Sequence, residues 1–187
     1  MANLARSLNS SSVAETLATY ESWAESYNEH IGKEEYTAPE IASDYVFKHV
    51  GSQKITSAAI LDAGCGTGLV GQHLAKRGAT HLDGMDLSPG MLRVARRTGI
   101  YRSLSVADLS RRLDIPDQSY DVVVCVGTLT QGHVGPGAFD GFVRVVMPGG
   151  FIVATALDKE GKAKLVGDKL EVIGTDVRAV FVVLQAQ

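Results

Sequence analysis

The glycine-rich stretch LDAGCGTGLVG, residues 61–71, constrains the fold of this chain more than any other feature. It follows an apolar run and precedes a segment with helical spacing, so it reads as a turn from a buried strand into a helix. Glycine is typical of such turns where the backbone adopts positive φ angles or comes close to a bound molecule. The stretch therefore predicts an α/β domain that binds a small molecule at this turn.

Five short apolar runs from Ala58 onward indicate the strands. They are AAILDA, THLDGMD, SLSVAD, YDVVVCVG and GFIVATAL, separated by helical spacing or turn signals. Continuous apolar runs suit strands buried on both faces, so we expect a mostly parallel sheet with helices on each side. Gly78 is predicted to follow the end of one helix, and Ser88 with Pro89 to begin another.

Each end of the chain adds a further element. The spacing of Val13, Leu17, Tyr20 and Tyr27 predicts one amphipathic helix over about residues 11–30, and a second helix begins near Pro39. At the other end, KLEVIGTDVRAVFVVLQAQ contains two β-prone runs with a short connection. Such a connection predicts an antiparallel pair at the end of the sheet.

The composition argues against several classes of partner. The 187 residues are 45% hydrophobic, which suits a single domain, and the net charge of −3 gives no electrostatic reason to bind nucleic acid or anionic lipid. No run reaches the roughly 18 apolar residues that span a bilayer, and the N-terminus lacks the apolar block of a secretory signal. We therefore expect no membrane and no nucleic-acid partner.

The two cysteines, Cys65 and Cys125, sit in apolar or glycine-rich strand ends. This favours free thiols in a reducing compartment, so we expect a cytoplasmic protein. Because the first and fourth strands of a doubly wound sheet are neighbours, we also expect the two thiols to lie close together.

Two unrelated cofactors use a glycine turn of this kind. Gly66-x-Gly68-x-x-Gly71 matches the dinucleotide fingerprint, in which a pyrophosphate rests on a helix N-terminus. Asp62, just upstream, would repel a pyrophosphate and attract an ammonium group. S-adenosylmethionine has an ammonium group and no phosphate, so the pattern favours it over NAD. The alternative is that Asp62 only orders the turn.

Two further acids follow predicted strands. Asp86, about 20 residues beyond the turn, is placed to accept hydrogen bonds from ribose hydroxyls, with Asp83 as the competing candidate. Asp108 ends the next strand, where its carboxylate can accept from the adenine amino group while the N–H of Leu109 donates to the ring. Alternatively, Asp108 is the N-cap of a helix that starts at Leu109.

With these motifs in order, the chain resembles the class I S-adenosylmethionine-dependent methyltransferases. GMDLSPGML, YDVVVCVGTLTQGHV and RVVMPGGFIV match that superfamily's second, fourth and fifth strand regions, and the resemblance covers residues 15–157. Tyr20-x-x-Trp23-Ala24-x-x-Tyr27 and the run from Gly127 to Val134 are most similar to the subgroup of the methyltransferase-like protein of the Williams-Beuren syndrome region.

The resemblance implies an α/β, Rossmann-like doubly wound fold with a mostly parallel seven-stranded sheet that ends in an antiparallel pair. It divides the single domain, residues 1–187, into N-terminal lid helices (1–50), a cofactor-binding core (58–157) and a shortened C-terminal strand pair (158–187). It implies S-adenosylmethionine as cofactor and S-adenosylhomocysteine as product. The predicted cofactor-binding residues are Asp62, Gly64, Cys65, Gly66, Gly68, Asp86, Leu87, Met91, Asp108, Leu109, Cys125, Gly127, Trp23 and Tyr27.

Within that set, the resemblance implies that the methionine moiety lies at the Gly64 turn and that Leu87 lies beside the adenine. It places the mouth of the site near residues 125–128. Three features depart from the family pattern. Asn28 and Gly90 stand where acids are usual, and only residues 158–168 separate the fifth strand from the next, where relatives place a full helix.

Methyl transfer from a sulfonium is an in-line displacement, so the protein has mainly to align donor and acceptor in a dry pocket. His133, after the fourth strand, is the candidate catalytic base if the acceptor must lose a proton; the alternative is a loop histidine bonded to backbone. Tyr27 and Trp23 are expected to face the pocket, and Tyr20 to pack the helix.

The methyl acceptor is predicted mainly by what the chain lacks. No Asp/Asn-Pro-Pro-aromatic motif follows the fourth strand, where CVGTLT stands instead. We therefore expect a small-molecule acceptor and no metal. A protein side chain as acceptor, and a cofactor-binding protein without catalysis, are the alternatives. The sequence does not determine the oligomeric state.

Overall fold

The computed structural model describes residues 10, 12–32, 36–130, 134–157, 169–172 and 178–186. Its strands are β1 (Ala59–Ala63), β2 (His81–Asp86), β3 (Ser103–Val106), β4 (Tyr120–Thr130), β5 (Val146–Leu157), β6 (Lys169–Val172) and β7 (Arg178–Gln185). They form a sheet in the order β3-β2-β1-β4-β5-β7-β6. Pairing is parallel from β3 to β5, and β7 is antiparallel to both β5 and β6. The predicted α/β fold, with a mostly parallel sheet that ends in an antiparallel pair, is confirmed.

The described helices are α1 (Val13–Trp23), α2 (Tyr27–Gly32), α3 (Ala38–Val50), α4 (Leu69–Lys76), α5 (Pro89–Arg97) and α6 (Ala138–Val145). The single helix predicted over residues 11–30 is wrong, because a 3₁₀ turn at Ala24–Ser26 separates α1 from α2. Val13 is 46% exposed, whereas Thr16 and Thr19 are buried. In the described segments, no helix is both long and apolar enough to cross a membrane.

Local signals correctly placed two helix ends. Ser88 is the N-cap of α5: its Oγ accepts a hydrogen bond from the N–H of Met91 at 3.1 Å, and Pro89 is the first helical residue. Gly78, with φ of 98°, follows the end of α4. Both ends are set by residues next to one another in sequence, which is why the sequence predicts them well.

The central strands of the sheet are buried on both faces, as the continuous apolar runs predicted, whereas the edge strand β3 is mostly exposed and was wrongly expected to be buried. Val122 and Val124 of β4 lie in one core cluster with the buried residues of α3 and α4. Val123 and Cys125 lie in a second cluster with Phe142 of α6. Alternate residues of one strand thus contribute to two cores, one on each face.

The strand order creates a switch point between β1 and β4. From β1, the first strand, the chain runs outward through β2 and β3 and then crosses to β4 and β5 on the other side of β1. In open α/β sheets, ligands bind in the crevice at the carboxyl ends of the strands where this reversal occurs. The predicted glycine turn follows the carboxyl end of β1 and therefore lies at that crevice.

Candidate functional site

The turn after β1 adopts a backbone that favours glycine at three positions. Gly64, Gly66 and Gly68 have φ of 78°, 53° and 92°. The N–H groups of Gly64 and Cys65 donate to the carbonyl of Met85 at 2.8 and 2.9 Å, which fixes the turn against β2. A Cβ on Gly66 would meet no heavy atom within 4 Å. The turn is therefore rigidly held while the space over Gly66 stays open.

Asp62 lies at the end of β1 and is fully buried. Its Oδ2 accepts a hydrogen bond from the Tyr101 hydroxyl at 2.6 Å, whereas its Oδ1 is buried with no hydrogen-bond partner. Burial raises the pKa of Asp62 to about 7, although the Tyr101 hydroxyl and the backbone N–H of Gly71 oppose this shift. A buried acceptor without a donor is costly, so the site favours a ligand that brings a hydrogen-bond donor or a positive charge.

Tyr101 is a site residue that the sequence reasoning missed. A Cβ on Gly68 or on Gly84 would lie 3.1 Å from the Tyr101 ring. A Cβ on Gly71 would overlap the Tyr101 hydroxyl group. These glycines make room for the tyrosine to reach Asp62. The third glycine of the G-x-G-x-x-G pattern thus has a packing role here.

Asp86 ends β2 and binds the glycine turn directly. Its Oδ2 accepts from the N–H of Gly66 at 2.9 Å, and its Oδ1 accepts from the N–H of Ser88 at 2.8 Å. Burial raises the pKa of Asp86, and these two N–H groups oppose that shift. Leu87 is half-buried beside it, and Met91 of α5 is buried.

Asp83, the competing candidate, points away from this crevice. It accepts from Arg102 at 2.6 Å, Ser103 at 2.9 Å and Tyr120 at 3.2 Å. It lines a separate cavity of about 320 Å³, together with residues that precede β4. Of the two acids on β2, the geometry therefore favours Asp86 as the one at the site.

Asp108 follows β3 and is held by its own loop. Its Oδ1 accepts from the N–H of Ser110 at 2.9 Å and from the Ser110 hydroxyl at 2.5 Å, and its Oδ2 lies 3.3 Å from Arg111. These contacts, led by the Ser110 hydroxyl, lower the pKa of Asp108. The residue caps a turn, and no helix starts at Leu109, whose side chain is buried.

The carboxyl end of β4 carries a bulge beside the glycine turn. Cys125 pairs with Ala154, and Leu129 pairs with Ala156. Four residues along β4 therefore correspond to two residues along β5, which leaves extra residues in β4. Within the bulge, Gly127 has φ of 73°, and its N–H donates to the hydroxyl of Thr155 at 2.8 Å. Bulges of this kind redirect side chains at sheet edges and sites.

The bulge also brings two side chains against glycines of the site. Thr128 occupies the space where a Cβ on Gly64 would lie, and the Tyr36 hydroxyl lies 2.7 Å from the position of a Cβ on Gly127. The ends of β1 and β4 therefore meet closely, as the switch point requires. Thr128 belongs to the predicted mouth of the site, residues 125–128, and Tyr36 to the segment predicted as a lid; neither was among the predicted cofactor-binding residues.

The two cysteines lie on opposite faces of the sheet. Cys125 belongs to the cluster that contains Phe142. The Sγ of Cys65 would lie 3.0 Å from a Cβ on Gly84, next to Tyr101, which packs against the other cluster. Both thiols are free, as the sequence predicts, and their closeness to one another stays a prediction. Burial raises the pKa of each, which makes both poor nucleophiles.

The aromatic residues of α1 and α2 pack together near the crevice. Trp23 is 2% exposed, and its Nε1 donates to Nδ1 of His30 at 2.8 Å. Its ring centroid lies 4.7 Å from that of Tyr27. Burial, followed by the fields of Tyr36, Tyr20 and Asp86, raises the pKa of Tyr27. Trp23 therefore directs its polar atom to the N-terminal segment itself.

A side chain of α2 also contacts the glycine turn. The hydroxyl of Thr67 donates to Oδ1 of Asn28 at 2.6 Å. An amide oxygen serves here as acceptor, so the asparagine that departs from the family pattern has a defined partner. His133, the predicted base, and the connection at 158–168 lie outside the described residues. Among the described residues, no group of three metal-ligand side chains occurs.

Known proteins match this chain over the same region. A family model described as a methyltransferase domain matches residues 60–150. Human methyltransferase-like protein 27 is 37% identical over 144 residues, which cover 76% of this chain and 58% of the relative. A ubiquinone biosynthesis O-methyltransferase from Alkalilimnicola ehrlichii is 32% identical over 129 residues, covering 65% of this chain and 50% of the relative. An S-adenosylmethionine-dependent methyltransferase structure from Mesorhizobium loti is 25% identical with a TM-score of 0.50, covering 60% of this chain and 52% of that chain.

These matches, taken with the sheet order and the glycine turn, identify the domain. The chain carries a methyltransferase domain and is similar over it to class I S-adenosylmethionine-dependent methyltransferases. It spans about half the length of the curated relatives it matches.

The site of this methyltransferase domain fits the family's cofactor. The unpartnered Oδ1 of Asp62 is an acceptor for an ammonium group, and a cation there would favour the ionised carboxylate. The N–H of Gly66 donates to the carboxylate of Asp86, and a Cβ on Gly66 would meet no heavy atom within 4 Å. Two carboxylates suit a ligand with an ammonium group and hydroxyl groups better than a pyrophosphate.

Proposed function

We propose that this chain is a cytoplasmic S-adenosylmethionine-dependent methyltransferase that acts on a small-molecule acceptor. One domain, residues 1–187, carries the function, with residues 1–50 as a lid, 58–157 as the cofactor-binding core and 158–187 as a shortened C-terminal strand pair. The observation that carries the proposal is the unpartnered oxygen of buried Asp62 next to the open glycine turn.

The cofactor would be held by the acids at the ends of three strands. Asp62 would accept from the ammonium group, Asp86 from the ribose hydroxyls, and Asp108 from the adenine amino group, with the N–H of Leu109 donating to the ring. Asp86 already accepts two N–H groups, and a carboxylate has about four lone-pair sites, so acceptor capacity is left for the hydroxyls. Leu87 and Met91 would line the adenine side.

When bound, S-adenosylmethionine supplies an electrophilic methyl group on a sulfonium. The chain's own task is to orient donor and acceptor and to exclude water. The bulge at Gly127, with the Tyr36 hydroxyl beside it, would form the wall toward the acceptor together with Tyr27. Aromatic faces attract cations and suit such a wall. His133 would remove a proton from the acceptor where the nucleophile is a hydroxyl group.

A small-molecule acceptor is supported by the net charge of −3 and by the absence of a base-methylation motif after β4. The ubiquinone biosynthesis O-methyltransferase relative, at 32% identity, favours an oxygen nucleophile. With an oxygen acceptor, His133 would act as the base, because a phenol or alcohol must lose a proton on methylation.

Calorimetric titration with S-adenosylmethionine, S-adenosylhomocysteine and NAD in parallel tests the cofactor. We expect micromolar binding, about −8 kcal/mol, for the first two and no binding of NAD. Binding of NAD alone would overturn the proposal.

Transfer of a labelled methyl group to a panel of phenols, amines and carboxylic acids tests the acceptor class. His133→Ala should lower the rate with phenols by about a hundredfold or more while leaving cofactor affinity unchanged. An unchanged rate would show that His133 is not a base.

A further inference from the structure

The first helix contacts the start of α5 through the carboxylate of Glu21. Oε1 accepts from the N–H of Gly90 at 2.5 Å and from the hydroxyl of Ser88 at 2.8 Å. Oε2 lies 3.5 Å from the guanidinium of Arg93. The N–H of Gly90 is the main cause that holds the pKa of Glu21 below its ordinary value. The side chain is therefore an anion at the N-terminus of a helix, where the helix dipole favours it.

Gly90 leaves the space that this carboxylate needs. A Cβ there would lie 2.7 Å from Oε2 of Glu21. Gly90 does not adopt a positive φ, so its backbone conformation alone does not require glycine. Glycine weakens a helix by up to about 1 kcal/mol relative to alanine. The close approach of Glu21 is thus the physical reason for glycine at this position.

Hydrogen bonds continue from Glu21 to the glycine turn. The hydroxyl of Ser88 donates to Glu21, and the N–H of Ser88 donates to Oδ1 of Asp86 at 2.8 Å. The other oxygen of Asp86 accepts from the N–H of Gly66 at 2.9 Å. Glu21 thereby connects α1 to the carboxylate assigned to the ribose.

We propose that Glu21 is a positioning residue of the cofactor site: through Ser88 it sets the carboxylate of Asp86, and Gly90 is glycine because the Glu21 carboxylate fills the space beside it. The N-terminal helix is then part of the cofactor site, since its position and that of Asp86 are coupled. Because this inference rests on the proposed function, its test has one readout that needs no cofactor.

Three variants separate this role from simple packing of α1. Glu21→Ala removes the carboxylate. Gly90→Ala keeps it but puts a methyl group where it lies, and by helix propensity alone this change should stabilise α5. Glu25→Ala is the matched control: Glu25 follows α1 directly and binds Arg97 of α5 at 2.7 and 2.9 Å through an exposed ion pair, without contacting Ser88.

The first measurement uses amide signals of the cofactor-free protein by nuclear magnetic resonance. Glu21→Ala and Gly90→Ala should shift the amide signals of Ser88 and Gly66, which donate to Asp86. Glu25→Ala should leave both signals in place, although it removes an ion pair between the neighbouring 3₁₀ turn and α5. If all three variants shift these signals alike, or none does, Glu21 has no specific connection to Asp86 and the inference is wrong.

The second measurement is calorimetric titration with S-adenosylhomocysteine. Glu21→Ala and Gly90→Ala should each weaken binding by about tenfold, the size of one charge-assisted hydrogen bond. Glu25→Ala should change affinity by less than about twofold, because exposed ion pairs contribute little. Wild-type affinity in Gly90→Ala would overturn the inference. If the wild-type protein itself binds no S-adenosylhomocysteine, the proposed function fails, and the amide signals still decide whether Glu21 positions Asp86.

Discussion

Replacing Asp62 by asparagine should stabilise the cofactor-free protein at neutral pH while weakening cofactor binding. The carboxylate is fully buried, one oxygen binds the Tyr101 hydroxyl and the other has no partner. Asparagine has nearly the same shape and can keep the Tyr101 hydrogen bond through its amide oxygen, but it carries no charge. The substitution therefore removes the penalty of a buried anion and the attraction for an ammonium group together.

The size of the effect follows from the pKa of Asp62, which rises from 3.8 to about 7 on folding. Below about pH 4 the acid is neutral in both states. Between about pH 4 and 7 the folded protein binds more protons than the unfolded chain, so this group makes stability fall as pH rises. Each pKa unit is about 1.4 kcal/mol, so above pH 7 the penalty is on the order of 4 kcal/mol. In Asp62→Asn the buried amide group has no partner on one side, which costs about 1–3 kcal/mol and offsets part of the stability gained by removing the charge.

Urea unfolding of the cofactor-free protein, followed by circular dichroism at about pH 5 and about pH 8, measures this penalty. At the higher pH we expect Asp62→Asn to be more stable than wild type by about 1–3 kcal/mol, and at the lower pH the advantage should shrink or reverse. Asp114→Asn, which removes an exposed carboxylate, should give parallel curves. If the unfolding free energy of Asp62→Asn also changed with pH in parallel with that of wild type, the stability penalty assigned to the buried charge of Asp62 would be refuted. S-adenosylhomocysteine should bind Asp62→Asn about ten- to a hundredfold more weakly than wild type.

Three further substitutions test other parts of the site. Asp86→Ala should weaken S-adenosylhomocysteine binding by about a hundredfold in calorimetry, because it removes two ribose hydrogen bonds; near-normal affinity would contradict the ribose assignment. Tyr101→Phe removes the hydroxyl that opposes the raised pKa of Asp62, so cofactor affinity near pH 7 should fall and recover at higher pH; equal loss at every pH would argue for packing alone. Gly64→Ala puts a Cβ against Thr128 at a residue whose φ is 78°, so it should lower the melting temperature. Adding Thr128→Ala should restore only part of the loss, because the positive φ still disfavours alanine.

The elements of the fold could be predicted because their signals are local. The apolar runs of the five parallel strands, the glycine turn and the Ser88 N-cap each depend on residues within a few positions of one another. The break between α1 and α2 was missed, because a 3₁₀ turn carries no strong signal in apolar spacing. Asp62 and Asp86 could be found as candidates for a related reason: both lie at the end of a strand, and parallel strands end at the same edge of the sheet.

Only the tertiary structure determined which groups contact these acids. Tyr101 reaches Asp62 across 39 residues of sequence, Asn28 reaches Thr67 across 39, and Glu21 reaches Gly90 across 69. No periodicity links such positions, because they meet only when separate elements pack. The sequence by itself determined where the glycine turn and the acids stand along the chain. Packing determined that Asp62 is buried with one oxygen unpaired and that the N-terminal helix contacts Asp86 through Ser88. The physical reason is that charge burial and hydrogen-bond partnership depend on distances in space, which sequence spacing does not encode.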